Sequence, residues 1–182
     1  MNKNTNIIII SVILIALVLL SRLVVHTPNF TPVLSVLLLS TMIFDKKYLF
    51  IPFVGILCSD LLLHYSSASG YLLGPLFFSI YFTYLIIALS IFYFSKKVTV
   101  LNITLNSVFA STVFFILSNF AVWLFNGGSV YPYSISGLTS CYIAAIPFYY
   151  NTLLSTIVFS VVLFAPIFAL RTSQSNYSLS SK

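Results

Sequence analysis

Six long apolar runs, over residues 7–25, 29–44, 48–65, 71–94, 100–125 and 148–170, take up most of this chain and leave little charge between them. Charged residues make up 5% of the sequence, against about 25% in soluble domains, so they cannot cover a water-facing surface. A helix needs about 20 mainly apolar residues to cross a hydrocarbon core of roughly 30 Å. The runs therefore predict an all-α integral membrane protein: a six-helix transmembrane bundle forming one six-span domain over residues 1–171. The second run is short and opens on the kinked string Pro28-Asn29-Phe30-Thr31-Pro32. It predicts a short second helix that spans incompletely or packs deep among the others. Residues 134–146 are too few to cross. Together with the loop before them they predict an outer cap and a short surface or re-entrant helix, ended by Pro147 ahead of the last span. The Ser/Asn-rich residues 172–182 read as a disordered cytoplasmic tail.

The cations set the orientation. Six spans put both termini on one side, and Lys3, Lys46, Lys47, Lys96, Lys97, Arg171 and Lys182 all fall there, with Arg22 alone toward the other. By the positive-inside bias, the N- and C-termini are expected to be cytoplasmic. The first run follows Met1-Asn2-Lys3 as a secretory signal would. It is longer than a signal core, and no small-residue cleavage site follows, so it reads as an uncleaved span.

Polar residues out of place in lipid gather in the half of the bundle away from the lysines. Arg22 and His26 close the first span, Asn29 and Thr31 open the second, Asp60 and His64 close the third, and Asn119 and Trp123 close the fifth. At about 1.5 Å of rise per residue, Asp60 lies some 18 Å from the cytoplasmic end and Arg22 about 22 Å, so the two are placed to pair. Such a pair either locks two helices together or faces a cavity and meets a polar ligand. His26 and His64 follow Arg22 and Asp60 by four residues, on the same helix faces, and serve either packing or the same site. Residues 118–152 are aromatic and nearly uncharged, unlike a solvated linker. There Trp123, Tyr131, Tyr133 and Tyr142 are either interfacial anchors or, beside the Gly127-Gly128 hinge, a lid. Asn119 serves either as an interhelical hydrogen-bonding group or as a ligand contact. The candidate substrate-binding set is thus Arg22, His26, Asn29, Asp60, His64, Asn119, Trp123, Tyr131, Tyr133 and Tyr142.

Several chemistries have no signal. The net charge of +6 is scattered over helix ends with no basic face, so no nucleic-acid partner is expected. No zinc-spaced Cys/His cluster, Gly-rich phosphate loop or G-x-S-x-G motif occurs, so neither a cofactor nor a catalytic residue is assigned. Cys58 and Cys141 lie in apolar surroundings and read as packing residues.

The strings His26-Thr27-Pro28-Asn29-Phe30-Thr31-Pro32-Val33, Ser59-Asp60-Leu61, Ser118-Asn119-Phe120-Ala121-Val122-Trp123, Tyr131-Pro132, Cys141-Tyr142 and Ala144-Ala145-Ile146-Pro147-Phe148 carry a resemblance covering about residues 22–164. The chain resembles a family of small bacterial membrane proteins. That family is similar to the S components, the substrate-binding subunits of energy-coupling-factor vitamin transporters. The resemblance implies six helices in the bacterial inner membrane and an outward-facing pocket for a vitamin or its precursor, closed by outer loops. It also implies import that depends on a T component and two cytoplasmic ATPases. S components often carry Ala-x-x-x-Ala in the first helix; here Ser11, Ala16 and Ser21 recur at intervals of five. The expected function is a micronutrient-binding membrane subunit. The alternatives are a membrane-embedded enzyme using Asp60, His64 and His26 as acid/base groups or metal ligands, and a structural partner of another membrane complex.

Overall fold

Pro28 and Pro32 bracket a turn that decides how the chain packs. Phe30 N donates to Thr27 O at 3.0 Å, Asn29 takes a left-handed backbone (φ 62°), and Pro32 caps the next helix, whose Val36 N donates to Pro32 O at 2.8 Å. Asn tolerates that conformation better than most residues do. The computed structural model describes residues 3–24, 27–44, 48–67, 72–95, 97–126, 128 and 130–180. These form α1 (Lys3–Leu23), α2 (Val33–Ile43), α3 (Phe50–Ser67), α4 (Pro75–Phe94), α5 (Val100–Asn126) and α6 (Ile135–Ser180), with no strand among the described residues.

Helix α2 is the axis. Every residue from Val33 to Thr41 is buried, and the helix touches all five others. A helix apolar on every side has no face for water and belongs inside. Its 11 residues rise only about 16 Å, so it occupies the middle of the bundle rather than its full depth. Around it α1 packs on α3, and α4, α5 and α6 pack in sequence. The α1–α3 seam is close because Gly55 has no side chain: a Cβ there would lie 3.2 Å from Val18 Cβ and 3.4 Å from Ile15 Cα.

The outer surface and the helix seams differ from those of a soluble bundle. Ser35, Ser40, Ser107, Ser111, Ser155, Thr156 and Ser160 are buried between helices, whereas Ile8, Val12, Phe78, Phe82, Phe94 and Val161 are exposed. Small hydroxyl residues let membrane helices approach and bond across their seams. Ser35 Oγ donates to Thr156 O at 2.8 Å, and Ser107 Oγ to Ser160 Oγ at 3.3 Å. Three helical segments, Pro75–Phe94, Val100–Phe125 and Ile135–Arg171, are long and apolar enough to cross a membrane. The segments Ile7–Leu23, Val33–Ile43 and Phe50–Tyr65 are apolar but shorter.

The C-terminal third differs from the sequence reading. The short helix expected over residues 134–146 and the span expected over 148–170 are one helix, α6, which runs through Pro147 and Pro166. Proline removes one backbone donor, yet neighbouring helices and Ser/Thr side chains let membrane helices pass through it. Here α5 holds both sides of Pro147. Tyr142 Oη donates to Ile116 O at 2.8 Å before it, and the hydroxyls of Tyr149 and Thr112 lie 3.0 Å apart after it. The α6 backbone is helical as far as Ser180, through residues expected to form a tail without structure. Arg171 Nη1 donates to Val98 O at 3.0 Å, so Arg171 and the start of α5 share the end of the bundle that carries Lys97.

Candidate functional site

At the opposite end from Arg171, the C-terminus of α1 meets the middle of α3. Arg22 Nη2 lies 2.6 Å from Asp60 Oδ1, and the acid is the more deeply set, its side chain 3% exposed against 22% for the base. Arg22 Nη1 also donates to Ser59 Oγ at 2.6 Å and to Ile56 O at 3.3 Å, and Ser59 Oγ donates on to Ile56 O at 2.7 Å. The second carboxylate oxygen accepts from Tyr81 Oη of α4 at 2.8 Å. Charge-assisted bonds therefore tie α1, α3 and α4 together at one point. A buried carboxylate tolerates its surroundings only when paired and hydrogen-bonded, and Asp60 is both.

The exposed side of Arg22 faces a cavity. Its larger lobe, about 380 Å³, is lined by Arg22, Asn29, Thr31, Tyr84 and Phe114 together with Thr152 and Thr156 of α6. A smaller lobe of about 200 Å³ adds Ser118, Asn119, Phe148 and Tyr149. The lobes share Asn29, Ile80, Phe114, Val122 and Thr152, so they are adjoining chambers. One wall is aromatic: Tyr84 and Phe114 stack on each other with ring centroids 5.2 Å apart and planes 15° apart. An apolar wall with a few placed polar groups, at a volume of hundreds of Å³, is the usual form of a small-molecule site. Positioning is shared among helices. The Pro28–Pro32 turn sets Asn29 at the rim, where Asn151 Nδ2 donates to Pro28 O at 3.0 Å. Asn119 is oriented by its own helix, its Nδ2 donating to Phe115 O at 2.7 Å.

Of the residues singled out from sequence, Arg22, Asn29 and Asn119 line this cavity, and Asp60 holds Arg22 from behind. His26 lies outside the described residues. His64 sits in the last turns of α3, its ring edge-on to Tyr65 at 6.0 Å, and lines neither lobe. The four aromatic cap residues line neither lobe either. Trp123 Nε1 donates to Pro132 O at 3.1 Å and packs edge-on against Tyr133 at 5.9 Å, and Tyr133 Oη donates to Leu124 O at 3.3 Å. Gly128 N donates to Tyr131 O at 2.6 Å, and Tyr142 packs on Phe115 at 5.5 Å. Together these four make a clasp that fastens the α5–α6 connection.

The sequence reading missed Ser59, Tyr81, Tyr84, Phe114, Ser118 and Thr152 as parts of the site. Ser59 adjoins Asp60 and Ser118 adjoins Asn119, which was a usable signal. Nothing distinguished Tyr81 or Tyr84 within an α4 full of aromatics. Among the described residues, no three His, Cys, Asp or Glu side chains are grouped so as to hold a metal ion.

Two other openings are apolar. A cleft of about 930 Å³ between α3 and α4 is lined by residues such as Phe50, Phe53, Phe78 and Phe82, and a notch of about 280 Å³ lies between α5 and α6. In comparisons with known proteins, no curated protein and no solved structure matches the chain. A profile described as a family of unknown function, DUF6580, matches residues 1–178. With nearly its whole length matched, this helical chain with membrane-length apolar helices belongs to the DUF6580 family.

Proposed function

We propose that the protein is a membrane-embedded substrate-binding subunit for uptake of a small, vitamin-like micronutrient, acting as the S components of energy-coupling-factor transporters do. In this reading the six helices form one bundle in the bacterial inner membrane, with α2 reaching part of its depth. Both termini are cytoplasmic. The ligand enters from the outer side, and a T component with cytoplasmic ATPases drives its release inward.

One observation carries the reading. The cavity beside Arg22 collects Asn29, Thr31, Asn119 and a stacked aromatic pair, whereas the α3–α4 cleft and the α5–α6 notch are lined mainly by apolar side chains. It lies away from the Arg171 end, as a pocket filled from outside requires. The test is native mass spectrometry of the full chain released from membranes in mild detergent. A retained small organic molecule is expected, bound at least about fivefold more weakly in Asn119→Ala, since removing one polar partner costs about 1–3 kcal/mol. Protein that carries nothing, and shows no thermal shift across a vitamin panel, refutes the carrier role.

A further inference from the structure

The donors and charges around Arg22 narrow what the cavity takes, on the reading that it binds a ligand. A guanidinium has five N–H donors and no acceptor. Three bonds engage it, to Asp60, Ser59 and Ile56 O, which leaves two donors at a side chain that lines the larger lobe. Its charge is a separate matter. Asp60 cancels it at 2.6 Å, and among the described residues no other Lys, Arg, Asp or Glu lines either lobe. The pair is thus a neutral dipole with its positive end toward the cavity. A carboxylate or phosphate there would leave one negative charge uncompensated at membrane depth, and an ammonium would meet the positive end.

The remaining polar groups are also uncharged. The side chains of Asn29, Thr31 and Ser118 make no hydrogen bond to another described residue, and Asn119 keeps its Oδ1 after its amide donates to Phe115 O. We infer that the cavity selects an uncharged molecule. The molecule presents a carbonyl or ring nitrogen to the free Arg22 donors, packs its apolar part against the Tyr84–Phe114 pair, and offers a neutral polar group to Asn119. Arg22 here acts as a hydrogen-bond donor, and the ion pair serves to cancel its attraction for anions.

Matched acids and amides test this on the full chain in lipid nanodiscs at pH 7. The probes are benzamide against benzoate and indole-3-carboxamide against indole-3-carboxylate, with affinity read by ligand-observed NMR. Each amide is expected to bind at least about tenfold more tightly than its acid. Asp60→Asn keeps the shape and leaves Arg22 uncompensated, so its preference should reverse toward the acids. An unaltered chain that binds the acids as tightly as the amides overturns the charge rule and leaves the carrier reading standing. Binding of neither member of either pair overturns both.

Discussion

The cleft between α3 and α4 and the cavity beside Arg22 differ in a way that volume hides. The cleft is the larger, about 930 Å³ against about 380 Å³ for the main lobe of the cavity. Its walls are Leu49, Phe50, Phe53, Phe78, Phe82 and Leu85, with Ser79 and Tyr81 the main polar groups. Lipid chains satisfy such a surface, because a Phe or Leu face asks for nothing beyond apolar contact. The cavity is smaller but holds an arginine and two asparagines, whose polar atoms need partners wherever water is scarce. Tyr81 stands between the two, lining the cleft while its hydroxyl holds Asp60. Polar demand, rather than size, marks the candidate site.

Substitutions can break this contrast, and the largest effect belongs to the charged wall. Asp60→Leu leaves Arg22 unpaired and should destabilise the bundle by about 3–5 kcal/mol, read by thermal unfolding in detergent. The double variant Arg22→Met with Asp60→Leu should recover most of that stability while retaining no ligand. A single variant as stable as the unaltered chain would mean the pair is solvated and the wall is not buried. Gly55→Leu comes next. The added side chain meets Val18 and the α1 backbone, so it should force α1 off α3 at about 1–3 kcal/mol and weaken ligand retention with it.

Tyr81→Phe removes one hydrogen bond to Asp60 but leaves the ion pair, and should cost about 1.5 kcal/mol in the same unfolding measurement. The smallest effect is expected in the cleft. Phe82 is 62% exposed there, and Phe82→Ala should stay within about 0.5 kcal/mol and leave ligand occupancy unchanged. Loss of bound ligand in Phe82→Ala would move the site to the cleft.

Much of the polar wall was legible in the sequence because helix rise is regular. Counting residues from the helix starts put Arg22 and Asp60 at similar depth, and their pairing is the outcome. The burial of α2 was legible too, since an apolar run that opens on the Pro28–Pro32 string and is too short to span comfortably belongs inside. Two features were not. Pro147 carries a local stop signal, but its effect is overridden by bonds from Tyr142 and Tyr149 to α5, and no local pattern reports partners about 26–37 residues away. Tyr81 is one of 12 tyrosines, and only the packing of α4 against α2 and α5 brings it to Asp60. The aromatic cap is a different case. Its composition suits either interfacial anchors or a lid, and its hydrogen bonds tie the α5–α6 loop to the end of α5.

An experimental map of the full chain, purified gently enough to keep whatever it carries, bears most directly on the site. Density for one small molecule is expected against the Tyr84–Phe114 wall, with an acceptor atom within hydrogen-bonding distance of Arg22. A bare Arg22 wall together with ordered density for a small polar molecule in the α3–α4 cleft would contradict the assignment.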